Sequence, residues 1–318
     1  MTLRDNPSVS VVIPCFNQAR FLAQAVNSAL AQVDSRVEVI VVNDGSADET
    51  AAVAAAYGDR IKYIEQANQG LCAARNVGIR HATGEFLQFL DADDFIAPSM
   101  HANMTSVLAA DPGAVAAYTG CTIVDHEGKP VDAHAGVPES KDVFHRLLEF
   151  NPWPPHALIV RRRAVEAAGC FDLGLRSCED WDLWLRIAVK GGSFRLVPGN
   201  FAYYRRYPGS MSRNSAVMFR AVVMVIRRGV KMHRGCAICT RSAARGVKLA
   251  WLHYGLPEMH RCLSEGRLGL WMARWLEFAQ LLPASARWSL GDLRHRKRQV
   301  ISGVVSSFRS SHRRSEEN

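Results

Sequence analysis

Residues 86–94 read FLQFLDADD. Phe86, Leu87, Phe89 and Leu90 make an apolar run of strand length, and Asp91, Asp93 and Asp94 follow at once. A strand apolar on both faces is expected inside a parallel sheet whose two faces are covered. Carboxylates packed this closely repel and shift one another's pKa. Their place at a strand end therefore points to a positive charge brought by a ligand. Hard cations such as Mg2+ and Mn2+ take oxygen donors, usually one or two carboxylates plus phosphates. Side chains two apart on extended backbone share a side, so Asp91 and Asp93 can converge while Asp94 points elsewhere. Asp94 is expected to cap a helix ahead of Pro98 instead.

The same grammar recurs upstream. Val9–Ile13 is a β-branched run ended by Pro14, and Gln18–Gln32 carries Phe21, Leu22, Ala25, Val26, Ala29 and Leu30 at helical spacing. Val37–Val42 is a second buried strand. Ala47–Tyr57 reads as a helix with Ser46 as N-cap and Glu49 three positions on, the capping-box spacing. Ile61–Ile64, the helix Gly70–His81 and the strand Glu85–Leu90 complete the series. Strands alternating with helices predict a doubly wound α/β sheet, which binds ligands at the carboxyl ends of its strands. PCFN, NDGS, QANQG and DADD follow the four strands in turn. Polar loops collected four times at one edge point to a nucleotide site.

The chain has 318 residues and eight scattered cysteines. These features predict reduced thiols and a cytoplasmic location. No apolar run reaches the roughly 18 residues of a membrane span, and the N-terminus lacks the pattern of a signal peptide. Net charge is +9, divided as −4 over residues 1–215 and +13 over residues 216–318. The first part reads as a catalytic domain and the second as a basic extension suited to an anionic surface.

Further along, strands are expected over 115–124, 158–160, 194–197 and 201–204. Helices are expected over 141–150, 163–168 and 181–189, and from about 215 to 279. Prolines in NPWPP (151–155) forbid helix there. Asp44, between a buried strand and Gly45, can accept the imino proton of a base, or can be an ordinary Asp-Gly turn. In NQGLCAARNVG, Gly70 opens a helix start that favours anions, with Arg75 and Asn76 inside the helix. In SCEDWDLWLRIA, residues 177–188, Glu179, Asp180 and Asp182 begin a helix whose dipole suits carboxylates. Asp182 reads as a cap, whereas a carboxylate shielded by tryptophan also makes a general base. CAIC (236–239) is a single CxxC without a second pair. His233, His253 and Cys262 nearby give no standard zinc spacing, so a reduced, packed cysteine pair is expected rather than a metal site.

PCFNQARFLAQAVNSALAQ, VNDGS, NQGLCAARNVG, FLDADD and CEDWDLWLRIA, in this order, resemble the family 2 inverting glycosyltransferases of the GT-A fold. The resemblance covers about residues 8–212. It implies a Rossmann-like, mixed, mainly parallel sheet flanked by helices over residues 1–214. The nucleotide-binding half would span about 1–97 and the acceptor half about 98–214, with a helical basic extension over 215–318. It implies Pro14, Phe16 and Asn17 in the nucleotide pocket, Asp44 on the uracil and Arg75 on the nucleotide. Asp91 and Asp93 would meet the ribose and a diphosphate-bound Mn2+ or Mg2+. Asp180 would be the catalytic base and Glu179 its neighbour, with Trp181 and His156 on the acceptor side. The expected donor is a UDP-sugar, and the expected acceptor a saccharide or lipid-linked saccharide of cell-surface polysaccharide or glycolipid synthesis.

Tyr207, in YRRYPGSMS, stands where many relatives carry a histidine near the metal, which predicts weaker metal affinity. Arg205 and Arg206 are expected to compensate on the diphosphate, since guanidinium matches phosphate. In the extension, LGLWMARWLEFAQLL (268–282) and RHRKR (294–298) suit either an anionic membrane surface at the inner face of the cell membrane or a solvated basic face. The alternative to an enzyme is an inactive nucleotide-binding protein, or a nucleic-acid-binding protein using the basic region. No nucleic-acid motif supports the latter, and no nucleic acid is expected as partner.

Overall fold

The computed structural model describes residues 8–33, 35–267 and 269. The first ninety residues alternate strand and helix: β1 (Ser8–Cys15), α1 (Ala19–Leu30), β2 (Arg36–Asn43), α2 (Thr50–Ala55), β3 (Lys62–Glu65), α3 (Leu71–His81) and β4 (Phe86–Phe89). There follow β5 (Phe95–Ile96), α4 (Met100–Ala110), β6 (Ala114–Val124), β7 (Pro130–His134), α5 (Val143–Leu147), β8 (Leu158–Arg161), α6 (Arg162–Ala167), α7 (Glu179–Ala188) and β9 (Ser193–Arg205). The helices α8 (Ser215–Met232), α9 (Ala237–Ala250) and α10 (Leu256–Ser264) come last, with a π-helical turn, Trp251–Gly255, joining α9 to α10.

Among the described residues one nine-stranded sheet runs in the order β3-β2-β1-β4-β8-β6-β9-β5, with β7 paired to β6 beside it. β3, β2, β1 and β4 are mutually parallel, so their carboxyl ends share one edge. β8 then pairs antiparallel with both β4 and β6, and β6 and β9 run parallel. This is the mixed, Rossmann-like GT-A sheet that the resemblance implies, and its β1–β4 half is the strand–helix alternation that the pattern predicts.

Local chemistry explains the central strands. Val9, Val11, Val12 and Ile13 of β1 are fully buried, and all of β4 is buried with Leu90 just beyond. Each such side chain contributes about 1.5–3 kcal/mol of burial. α1 covers one face with Phe21, Leu22, Ala25, Val26 and Ala29. α3 lies so close to β1 that a Cβ at Gly78 would meet Val12 Cγ1 at 2.2 Å. Any side chain there would push the helix off the sheet.

Several expectations change. The helix expected from Ala47 begins at Thr50, and Ser46 does not cap it; the Ser46 hydroxyl accepts the Asn17 N–H at 2.9 Å instead. Asp94 caps no helix: the chain forms β5 there, and α4 starts after Ser99 without a side-chain cap. The two strands expected between 194 and 204 are one, β9, because both parts pair with β6 across shifts of register. α5 is shorter than expected and is capped by Asp142.

α8 and α9 pack against α7 and α5, so the described part of the basic extension shares a compact unit with the sheet. Apart from Gly269, the segments 268–282 and 294–298 and the C-terminal tail lie outside the described residues. No helix among the described residues is long and apolar enough to cross a membrane.

Candidate active site

The loops at the common edge of β1–β4 are bound to one another. Asn17 takes a left-handed backbone, φ +54°. Its Oδ1 accepts the Ala47 N–H at 2.8 Å, which latches the loop after β1 to the loop after β2. The Phe16 ring beside it is 48% exposed, whereas Pro14 is buried within β1. Asp44 is buried. Its carboxylate accepts from Gln66 Nε2 at 2.7 Å, Gln69 N at 2.9 Å and Gly70 N at 2.8 Å. One aspartate therefore shapes the whole QANQG loop. Gly70 sits at φ +89° with open space beside it, so the start of α3 stays accessible.

Arg75 crosses from α3 to two carboxylates. Its Nη2 donates to Asp91 Oδ1 at 2.6 Å, and its Nη1 donates to Glu179 Oε1. The guanidinium is 1% exposed and lies over the Phe171 ring. Burial works against its charge, but Asp91 and Glu179 outweigh burial and hold it protonated. Asn76 braces the same junction, donating to the Phe171 carbonyl and accepting the Phe171 N–H. Arg75 was expected to touch the nucleotide. It is buried and paired to Asp91 and Glu179 instead.

Glu179 and Asp180 open α7 side by side, yet their surroundings differ. Glu179 is buried on Arg75. Asp180 is partly exposed, accepts from Asn151 Nδ2 at 3.1 Å, and has its pKa raised to about 7 by burial and by the neighbouring Glu179 charge. A half-ionised carboxyl near neutral pH is suited to accept and release a proton. Asp182, read as a cap, binds Arg186 Nε at 2.8 Å within its own helix.

The rest of DADD divides in two. Asp93 is partly exposed, and burial together with Asp91 raises its pKa to about 6. The Tyr207 hydroxyl hydrogen-bonds Asp93 and also accepts from Gln18 Nε2 at 3.0 Å. Tyr207 thus lies beside a carboxylate of the D-x-D pair. Asp94 is turned inward. It accepts the Arg205 N–H at 2.6 Å, and its Oδ2 lies 3.1 Å from His156 Nδ1. Burial raises Asp94 well above the usual carboxylate range and lowers His156 to about 4.

Three expected roles are corrected by these contacts. Arg205 is buried. Its guanidinium donates to the carbonyls of Asp93, Asp125 and His126 and to Gln24 Oε1, which leaves it unsuited to a diphosphate. His156 is completely buried against Asp94 and the Tyr204 ring. Trp181 is 5% exposed, and its Nε1 donates to the Leu147 carbonyl at 2.7 Å. Neither ring lies open to an acceptor. Arg206 is exposed, as a phosphate contact requires. Sequence reasoning missed Asn151 and Arg20. Arg20 is exposed, and its guanidinium carbon lies 4.3 Å from the Phe21 ring centre and 5.1 Å from that of Tyr207. Nothing local marks either residue. Asn151 hides in a proline loop, and Arg20 reads as the solvent face of α1.

Comparison with known proteins bears on the family and the fold. The family described as glycosyl transferase family 2 matches residues 10–168. An uncharacterized glycosyltransferase of Rickettsia prowazekii, RP339, is 32% identical over 188 residues, which is 57% of this chain and 58% of that protein. The chain therefore spans little more than half of that relative. Among solved structures, S. aureus TarS 1-349 in complex with UDP-GlcNAc superposes with a TM-score of 0.68 at 18% identity, covering 97% of this chain and 92% of that one. The mannosyltransferase PcManGT from Pyrobaculum calidifontis, in complex with GDP-Man and Mn2+, gives 0.59 at 19% identity, with 87% and 84% covered. At such identities the structural likeness speaks for the fold.

Proposed function

The chain belongs to glycosyl transferase family 2, and from that premise we propose that it moves a hexosyl or N-acetylhexosaminyl group from a UDP-sugar to an acceptor hydroxyl, with inversion. Asp180 is the base, and its place at the start of α7, partly exposed, held by Asn151 and next to the buried Glu179–Arg75 pair, is the observation that carries the reading. The acceptor hydroxyl gives its proton to Asp180. The oxygen forms a bond to the anomeric carbon as the bond from that carbon to the diphosphate breaks, and UDP leaves. A single displacement inverts the configuration.

Phe16 and Asn17 line the base pocket, and the loop that Asp44 organises closes it. The carboxylates at the end of β4 and the neighbouring Tyr207 phenol form an all-oxygen donor set, which fits a hard cation such as Mn2+ or Mg2+. Asp91 and Asp93 would hold it. When bound, it supplies neutralisation of charge on the leaving diphosphate. Arg75 fixes Asp91 in place, and Arg20 and Arg206 provide exposed cations at the same edge. The UDP-GlcNAc complex of TarS supports a UDP-sugar donor. The acceptor is a saccharide or lipid-linked saccharide of cell-surface polysaccharide or glycolipid synthesis. The +13 of residues 216–318 favours contact with an anionic membrane surface on the cytoplasmic side.

Incubating the full chain with Mn2+ and a panel of UDP-sugars, with GDP-mannose as contrast, tests the donor. Thermal stabilisation and UDP release with one UDP-sugar are expected. Stabilisation by GDP-mannose alone would replace uridine with guanosine, and no response to any nucleotide sugar would overturn the assignment.

A further inference from the structure

We propose that His145, His233, Cys236 and Cys239 form a structural zinc site, separate from the oxygen-lined site at the end of β4. Their ligand atoms all lie within 4.8 Å of one another. His145 Nε2 is 3.3 Å from Cys236 Sγ and 3.3 Å from Cys239 Sγ, and His233 Nδ1 is 3.4 Å from Cys239 Sγ. With Zn–S of about 2.3 Å and Zn–N of about 2.0–2.1 Å, the edges of a tetrahedron run to roughly 3.4–3.8 Å. Three of the six edges are already close to that spacing, and the others lie within 4.8 Å.

The surroundings are those of a ligand set. α8 ends at Met232, and Gly235 at φ +78° turns the chain so that His233 and Cys236 face one point. Cys236 is the N-cap of α9. A helix N-terminus favours the thiolate a metal needs. His145 Nδ1 lies 2.7 Å from both oxygens of Asp142. That carboxylate fixes the ring with Nε2 toward the sulfurs, the arrangement by which outer carboxylates orient metal-bound histidines. Two sulfurs and two imidazoles suit zinc and exclude Mg2+ and Ca2+. Four protein ligands close the coordination sphere, so the role is structural.

Cys236 and Cys239 are free, as expected of a reduced pair; the spacing around CAIC could not show the cluster because one of its groups is remote. His145 lies 91 and 94 residues upstream of the two cysteines and belongs to a different helix, α5. The metal would staple α5 to the α8–α9 turn. α5 in turn carries the Leu147 carbonyl that holds Trp181, the neighbour of Asp180. The site thereby ties the basic extension to the mount of the catalytic base.

Elemental analysis of the full chain, purified without a histidine tag or added metal under reducing conditions, should find about one zinc per chain. Zinc-edge X-ray absorption should show two sulfur and two nitrogen neighbours. Co2+ substitution should give thiolate charge-transfer bands that Cys236→Ser/Cys239→Ser lacks and His145→Cys retains. If the serine variant does not fold, the native absorption spectrum still decides. Three results overturn the proposal: no zinc with no thiolate bands on Co2+ titration, zinc in an oxygen-only shell, or a Cys236–Cys239 disulfide in freshly isolated protein. None of these readouts involves sugar transfer, so the zinc site and the transferase reading stand or fall separately.

Discussion

The edge of β1–β4 and the wall built from α5, α7 and the end of β9 do complementary work by different means. Along the edge each candidate site residue follows its own strand within a few positions: Asn17 after β1, Asp44 after β2, Asp91 and Asp93 after β4. In the wall the decisive contacts join distant parts of the chain. Arg75 reaches Glu179 across 104 residues, Asp94 reaches Arg205 across 111, and Cys239 reaches His145 across 94. The edge leaves Asp91 and Asp93 partly open for a ligand, while the wall neutralises its charges from within. Ligand chemistry is thus written locally and its support is written in the topology.

Asp180→Asn is the hardest test of that division. Losing the base should lower kcat by about 10²–10⁴-fold, while donor affinity by calorimetry stays near native. The native kcat/KM should rise as pH passes upward through about 7, as Asp180 ionises. Stability should move the opposite way. The folded chain holds this proton up to about 7, whereas the unfolded chain releases it near 3.8. Between those values each rise in pH favours the unfolded state. Asp180→Asn should therefore be at least as stable as the native protein at pH 8. A variant keeping a tenth of the native rate would move the base elsewhere.

Arg75→Leu probes the wall through stability. It leaves Asp91 and Glu179 facing each other without the buried cation, and removing one partner of a buried ion network costs about 3–5 kcal/mol. Urea denaturation should show a loss of that size, with donor affinity falling as Asp91 loses its anchor. Arg75→Lys should recover only part, because a single ammonium cannot fork to two carboxylates. A loss below about 1 kcal/mol, the range of an exposed pair, would mean the guanidinium is not the keystone.

The same contrast explains what the sequence made legible. The first four strands, their helices and the edge loops follow from apolar runs and turn residues, all local signals. The Asp180 helix was legible because tryptophans and carboxylates alternate at its start. Arg205 was misread because a basic residue in a polar loop looks available. Only the folded chain shows the Asp93, Asp125 and His126 carbonyls and Gln24 closing around it. His156 and Trp181 were misread for the same reason: burial is a property of the assembled sheet. The His145–Cys239 cluster needed α5 and α9 brought together before it had any meaning.

The smallest expected effect concerns Tyr207, where edge and wall meet. Its ring packs on Phe21, 5.5 Å between centres, and its hydroxyl bonds Asp93 and Gln18. Bonding to Asp93 favours the ionised carboxylate that a metal requires, opposing the effect of burial. A phenol is nevertheless a weak ligand when protonated, and burial raises the Tyr207 pKa further. Tyr207→His would place an imidazole nitrogen beside Asp93 at some loss of packing against Phe21. The gain in Mn2+ affinity should stay below about tenfold, or 1.4 kcal/mol, since Asp91 and Asp93 already carry the charge. Calorimetric titration of both proteins with Mn2+ and UDP reads it directly. Equal affinities would show that Tyr207 costs the site nothing as a ligand and serves Asp93 only through its hydrogen bond.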